Sequence, residues 1–140
     1  MTRKGTAKSV DASFTDGRLR IARAFLKAAR TETAMAEVAD IGNPIISQIV
    51  NAAIAFADAL TARYAGRANQ KDHAAAVKAL RDALGNRLPV AQETRLRRIL
   101  SEKDEIQYGA RATTAMEAKR LLGQLETFVA WAEAELQRPR

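Results

Sequence analysis

Along the chain, apolar residues recur at three- and four-residue spacing in five stretches, and nowhere do they alternate in the two-residue rhythm of a strand. The first stretch opens at Thr15 or Asp16, either of which can cap free backbone N–H groups, and it puts Leu19, Ala22, Phe25, Leu26 and Ala29 on one face. Arg18, Arg20, Arg23, Lys27 and Arg30 decorate most of the remainder, and the helix is expected to continue through Met35 to Val38. Ile41-Gly42-Asn43-Pro44 then punctuates the chain, with glycine to end one helix, asparagine to cap the next and proline at its first position. From Ile45 to Leu60 the pattern is apolar on nearly every side, with Ser47, Gln48, Asn51 and Asp58 as polar exceptions, as expected of the central member of a bundle.

Gly66 closes that helix, and the polar run from Arg67 to Asp72 leads into another, with Asp72 as N-cap and His73 in the first turn. Gly85, Asn86 and Pro89 break the chain again. A fourth helix is expected from Ala91 to about Ile106, with Leu96, Ile99 and Leu100 inward and Arg95, Arg97 and Arg98 outward; Tyr108-Gly109-Ala110-Arg111 reads as a turn. Thr114-Ala115-Met116-Glu117 matches a capping box, behind which Ala118, Leu121, Leu122, Leu125, Phe128, Val129, Ala132 and Leu136 keep helical spacing for over five turns. These patterns predict an all-α, up-and-down bundle of about five helices in one domain over residues 14–137, with a flexible basic leader over 1–13 and a frayed tail at 138–140.

Composition agrees with the periodicity: alanine supplies 30 of 140 positions, glycine and proline only ten together. With no cysteine, disulfides, thiolate zinc sites and a cysteine nucleophile are excluded, and a reducing cytoplasm fits. The first 13 residues lack the apolar core of a secretion signal, and no window is expected to span a membrane. Net charge is +7, carried mainly by arginine, which suits a polyanionic partner or simple solubility.

His73 is the only histidine, so imidazole chemistry has to pass through it, and a two-histidine metal site is impossible. Glycine-rich phosphate loops and nucleophile elbows are absent. That leaves Arg67 and His73, with five residues between them in a turn leading to a helix N-terminus, where a guanidinium can clamp a phosphate and an imidazole can exchange protons near neutrality. In a chain with 16 arginines the spacing is by itself weak, since solvated surface residues produce it as readily. Asp58 can orient either residue or simply be solvated; Asn69 and Lys71 can add phosphate contacts or be ordinary loop polarity. Arg95, Arg97 and Arg98 extend an RNA-binding surface or form a solvated face, and Tyr108 and Trp131 are expected to pack rather than to stack on bases.

In three places, in order, the sequence resembles the HEPN superfamily of small helical proteins. Asn51 to Leu60 is similar to that family's small-residue central helix, and Arg67 to His73 to its signature of arginine, four to six residues, then histidine. Tyr108 with Met116-Glu117-Ala118 and Phe128-Val129-Ala130-Trp131 resembles its closing segment and last helix. The family commonly has Asn, Asp or His after the arginine, where this chain has Ala68, with Asn69 one position later. The resemblance implies a homodimer whose facing signatures cut RNA without metal or other cofactor, His73 moving protons and Arg67 binding the scissile phosphate. It also implies a toxin or defence role, with an antitoxin such as a small nucleotidyltransferase as partner. Two other readings stand beside it: a HEPN-like module that binds RNA, nucleotide or protein without cutting, and a generic helical dimer associated with DNA, ranked last because no turn resembles a recognition helix.

Overall fold

The computed structural model describes residues 7–69 and 73–139. In chain order these form β1 (Ala7–Ser9), α1 (Ala12–Met35), α2 (Asn43–Ala65), β2 (Arg67–Asn69), α3 (His73–Leu84), a 3-10 turn at Gly85–Arg87, α4 (Val90–Leu100), α5 (Lys103–Tyr108) and α6 (Ala115–Gln137). The all-α bundle expected from periodicity is what forms, with one short two-stranded ribbon added at an end.

Side-chain pairings fix the directions. Arg23 meets Glu133 at 2.7 Å and Arg30 meets Glu126 at 2.6 Å, so α1 runs antiparallel to α6. Asn43 bonds to Thr113 just ahead of α6, while Tyr64 near the end of α2 donates to Glu135 near the end of α6, so α2 and α6 are parallel. Arg87 reaches Glu135 just before α4 begins, and Arg98 near its end lines the same cleft as Arg120, so α4 returns in the opposite sense. Helices α1, α2, α4 and α6 are thus the up-down-up-down members, and α3 and α5 lie within the longer connections.

Helix α2 is the axis. Thirteen of its 23 residues are buried, among them Ile45, Ile46, Ile49, Phe56 and Leu60, and six more are alanines that let neighbouring helices approach closely. Its best 18-residue window has a mean hydropathy of 1.5, so contrary to expectation one segment does pass for a membrane span by composition. Inside the bundle, 83% of that window is buried. Ala22, Leu26 and Ala29 pack on it from α1, with Leu96, Ile99 and Leu100 from α4 and Leu121, Leu125 and Phe128 from α6.

Boundaries differ from the sequence pattern where a local polar group intervenes. Helix α1 begins earlier than Thr15 because Asp11 caps it, accepting from the N–H groups of Ser13 at 3.1 Å and Phe14 at 3.3 Å. It stops at Met35, short of Val38, where the Asp40 carboxylate takes the Glu37 N–H at 2.8 Å and closes a tight turn instead. The single helix expected over Ala91–Ile106 is two, since the Ser101 hydroxyl donates to the Arg98 carbonyl at 2.6 Å and the chain re-enters helix at Lys103. Nor is the leader structureless throughout: Ala7–Ser9 pairs antiparallel with Arg67–Asn69. At the other terminus Arg138, assigned to a frayed tail, receives a hydrogen bond from Arg63 on its carbonyl and sits 3.6 Å from the Glu135 carboxylate. The capping box at Thr114 and Glu117 forms as expected, with reciprocal bonds of 3.0 and 2.9 Å.

Candidate functional site

Helix α2 ends because Gly66 adopts a left-handed conformation, φ 65°, in which its N–H still reaches the Ala62 carbonyl at 2.8 Å. That residue redirects the chain into β2. Arg67 pairs with Ser9 across the ribbon and Ala68 with Lys8, and the Val10 N–H closes the corner on the Gly66 carbonyl at 3.0 Å. Adjacent strand residues face opposite ways, so Arg67 is exposed while Ala68, only 4% accessible, points into the fold.

His73 is the first residue of α3, in the first turn as expected, and Asn69 ends β2 opposite Ala7. Lys71 and Asp72, together with the side chains of Asn69 and His73, lie outside the described residues. The structure therefore brings Arg67 to the solvent face of a short ribbon and His73 to the start of the helix that follows it.

Asp58, open in sequence between orienting Arg67 or His73 and being solvated, is paired with a residue of α1. Its Oδ2 accepts from Arg18 Nη2 at 3.1 Å, joining α2 to α1, and the carboxylate is thereby committed rather than turned on Arg67. Burial penalises its charged form more than Arg18 relieves it, so the carboxyl is pushed up to about 6. Arg18, placed in sequence only among the residues off the apolar face of α1, is the one the pattern missed; its position opposite Asp58 depends on how α1 meets α2.

Among the described residues, eight arginines pair with carboxylates: Arg18, Arg23, Arg30, Arg81, Arg87, Arg97, Arg111 and Arg138. Much of the arginine charge is thus balanced by carboxylates of the same chain, and Arg67, Arg98 and Arg120 are among those with no acidic partner among the described residues. The α4 arginines separate accordingly: Arg97 bonds to Glu93 at 2.9 Å, Arg95 is half-buried, and Arg98 lines a cleft at the far end of the molecule. Trp131 packs, its ring 5.7 Å from that of Phe128. Tyr108 does not, being 78% exposed at the end of α5. No group of three histidine or carboxylate side chains converges among the described residues.

No family model matches the chain, and no curated protein matches it.

Proposed function

We propose that this protein is a metal-independent endoribonuclease of the HEPN type, working as a homodimer in the cytoplasm as a toxin or defence component that an antitoxin such as a small nucleotidyltransferase restrains. The observation that carries the reading is the placement of Arg67, exposed and without a carboxylate partner among the described residues, on the strand just before the helix that His73 opens. In this scheme the guanidinium binds the scissile phosphate and stabilises the charge that builds on it. His73 takes the proton of the RNA 2′-hydroxyl, whose oxygen attacks phosphorus. The 5′-oxygen leaves with a proton from the His73 of the second copy, giving a 2′,3′-cyclic phosphate and a 5′-hydroxyl end.

The test is purified protein incubated with RNA in EDTA beside Arg67→Ala and His73→Ala variants, with products resolved on a gel. Cleavage by the wild type that is lost in both variants is expected; cleavage that survives in both removes the assignment. A second reading, an RNA-binding module that does not cut, is favoured by Ala68. Where the family commonly carries a polar side chain, this chain has a methyl group packed into the fold. Wild-type protein that binds RNA in a filter assay but leaves it intact supports that reading.

A further inference from the structure

At the end of the bundle remote from Arg67, a cleft of about 250 Å³ opens between the end of α4 and the start of α6. Ile46 lines it near the start of α2, 21 residues before Arg67, which at the rise of a helix places the two regions about 30 Å apart. The floor is apolar, made by Ile46 and Leu121, both nearly inaccessible to solvent. Around it stand Arg98, Arg111 and Arg120.

Their charges are not equivalent. Arg111 lies 3.2 Å from Glu117 and 3.8 Å from Glu102, so it is committed to the two acids that also line the cleft. Arg98 and Arg120 have no acidic partner among the described residues. The surroundings are built rather than incidental. Asn43 pins the segment before α6 through Thr113 and the Arg111 carbonyl, and Glu117, Arg120, Leu121 and Gln124 form one stripe at helical spacing.

We propose that this cleft is a binding site for a small phosphomonoester, its phosphate held by Arg98 and Arg120 and its organic part laid over Ile46 and Leu121. Two guanidiniums without an acidic partner suit a phosphate, since each offers a planar pair of N–H donors to its oxygens, and arginines outnumber acids in the lining, three to two. Gln124 supplies a neutral amide at the rim for a hydroxyl or carbonyl of the ligand. The volume limits the organic part to about one ring, below the range typical of larger cofactors. The site is independent of the RNA-cleavage reading, because it uses none of the same residues.

The experiment is an NMR titration of the full chain with phenyl phosphate, inorganic phosphate and phenol as separate probes. Saturable shifts at Ile46, Leu121 and Gln124 are expected with phenyl phosphate, at an affinity about tenfold tighter than inorganic phosphate, and none with phenol. Arg98→Gln and Arg120→Gln should each weaken phenyl phosphate about tenfold, whereas Arg20→Gln, on α1, should leave it unchanged. A trinucleotide with and without a 5′-phosphate separates the sources. Shifts from the phosphorylated form alone mean that the cleft accepts a nucleic-acid end, and shifts from phenyl phosphate only mean a free small molecule. Absence of saturable shifts with every phosphorylated probe, or equal weakening by Arg20→Gln, overturns the proposal.

Discussion

Asn43 and Thr113 tie the start of α2 to the start of α6. The Asn43 Oδ1 accepts from the Thr113 N–H at 2.8 Å and from its hydroxyl at 2.5 Å, while Nδ2 donates to the Arg111 carbonyl at 3.3 Å. Thr113 is only 3% exposed, so no water replaces this acceptor easily. Asn43→Ala is expected to cost about 1–3 kcal/mol in urea unfolding, the penalty of a buried N–H left without a partner. An unchanged midpoint means that the two chain segments are held by something else.

Gly42 sits beside this tie with its N–H on the Thr113 carbonyl at 3.0 Å, and a Cβ there would run into the Thr114 carbonyl. Its φ of −81° suits any residue, so crowding rather than backbone conformation demands glycine. Gly42→Ala should lower stability by about 1–3 kcal/mol. Gly17, inside α1 with open space where a Cβ would go, should respond in the opposite sense, Gly17→Ala raising stability by about 0.5–1 kcal/mol. Thermal unfolding of both variants checks the contrast, and matching shifts of one sign contradict it.

The Arg18–Asp58 pair predicts a pH dependence. Asp58 titrates near 6 in the folded protein, above its ordinary 3.8, so the folded state holds the proton more tightly. Its contribution to stability is therefore fully present below about 3.8 and is lost as pH rises through 6. Asp58→Asn mimics the neutral form at every pH. It should be more stable than wild type by about 1–2 kcal/mol at pH 7, with the gain shrinking toward pH 4. A difference that stays constant from pH 4 to 7 disproves the assignment.

Thr114 offers a measure of how much the last helix depends on its cap. Thr114→Ala removes the acceptor of the Glu117 N–H and should cost about 1 kcal/mol. Backbone and Arg111 hydrogen bonds hold Glu117 below the usual carboxylate range. Its stabilising effect should accordingly fade as pH falls through that lowered value, a trend that acid titration of stability reads directly.

Helix α6 was legible because one-sided burial imposes a period on its apolar residues, α2 because it is a long apolar run between Gly42 and Gly66, and the capping box at Thr114 is a local device needing no distant partner. Asn43 was read as the cap of α2, but Gly42 takes that position and Asn43 is the first residue of the helix. Its type suits a cap, but the amide bonds 70 residues away, and a side chain able to do either is assigned by whichever group lies within reach. Ala68 shows the converse. In the chain it reads only as a departure from the polar residue the HEPN resemblance leads one to expect, and the pairing of Arg67–Asn69 with Ala7–Ser9 is what turns its methyl inward.

By itself the sequence determined the helical class, the central helix and the position of Arg67 on the connection ahead of the helix that His73 opens, since these follow from periodicity and from glycine and capping chemistry along a few residues. The tertiary structure decided the partners. Arg23 and Arg30, seven residues apart, meet Glu133 and Glu126 only because α1 and α6 lie antiparallel, and Asp58 is given to Arg18 by the packing of α1 on α2. It also decided which arginines were left without acids, and so brought Arg98 and Arg120 to one cleft. Charge can be counted along a chain, but its neutralisation depends on distances of a few ångströms between segments far apart in sequence.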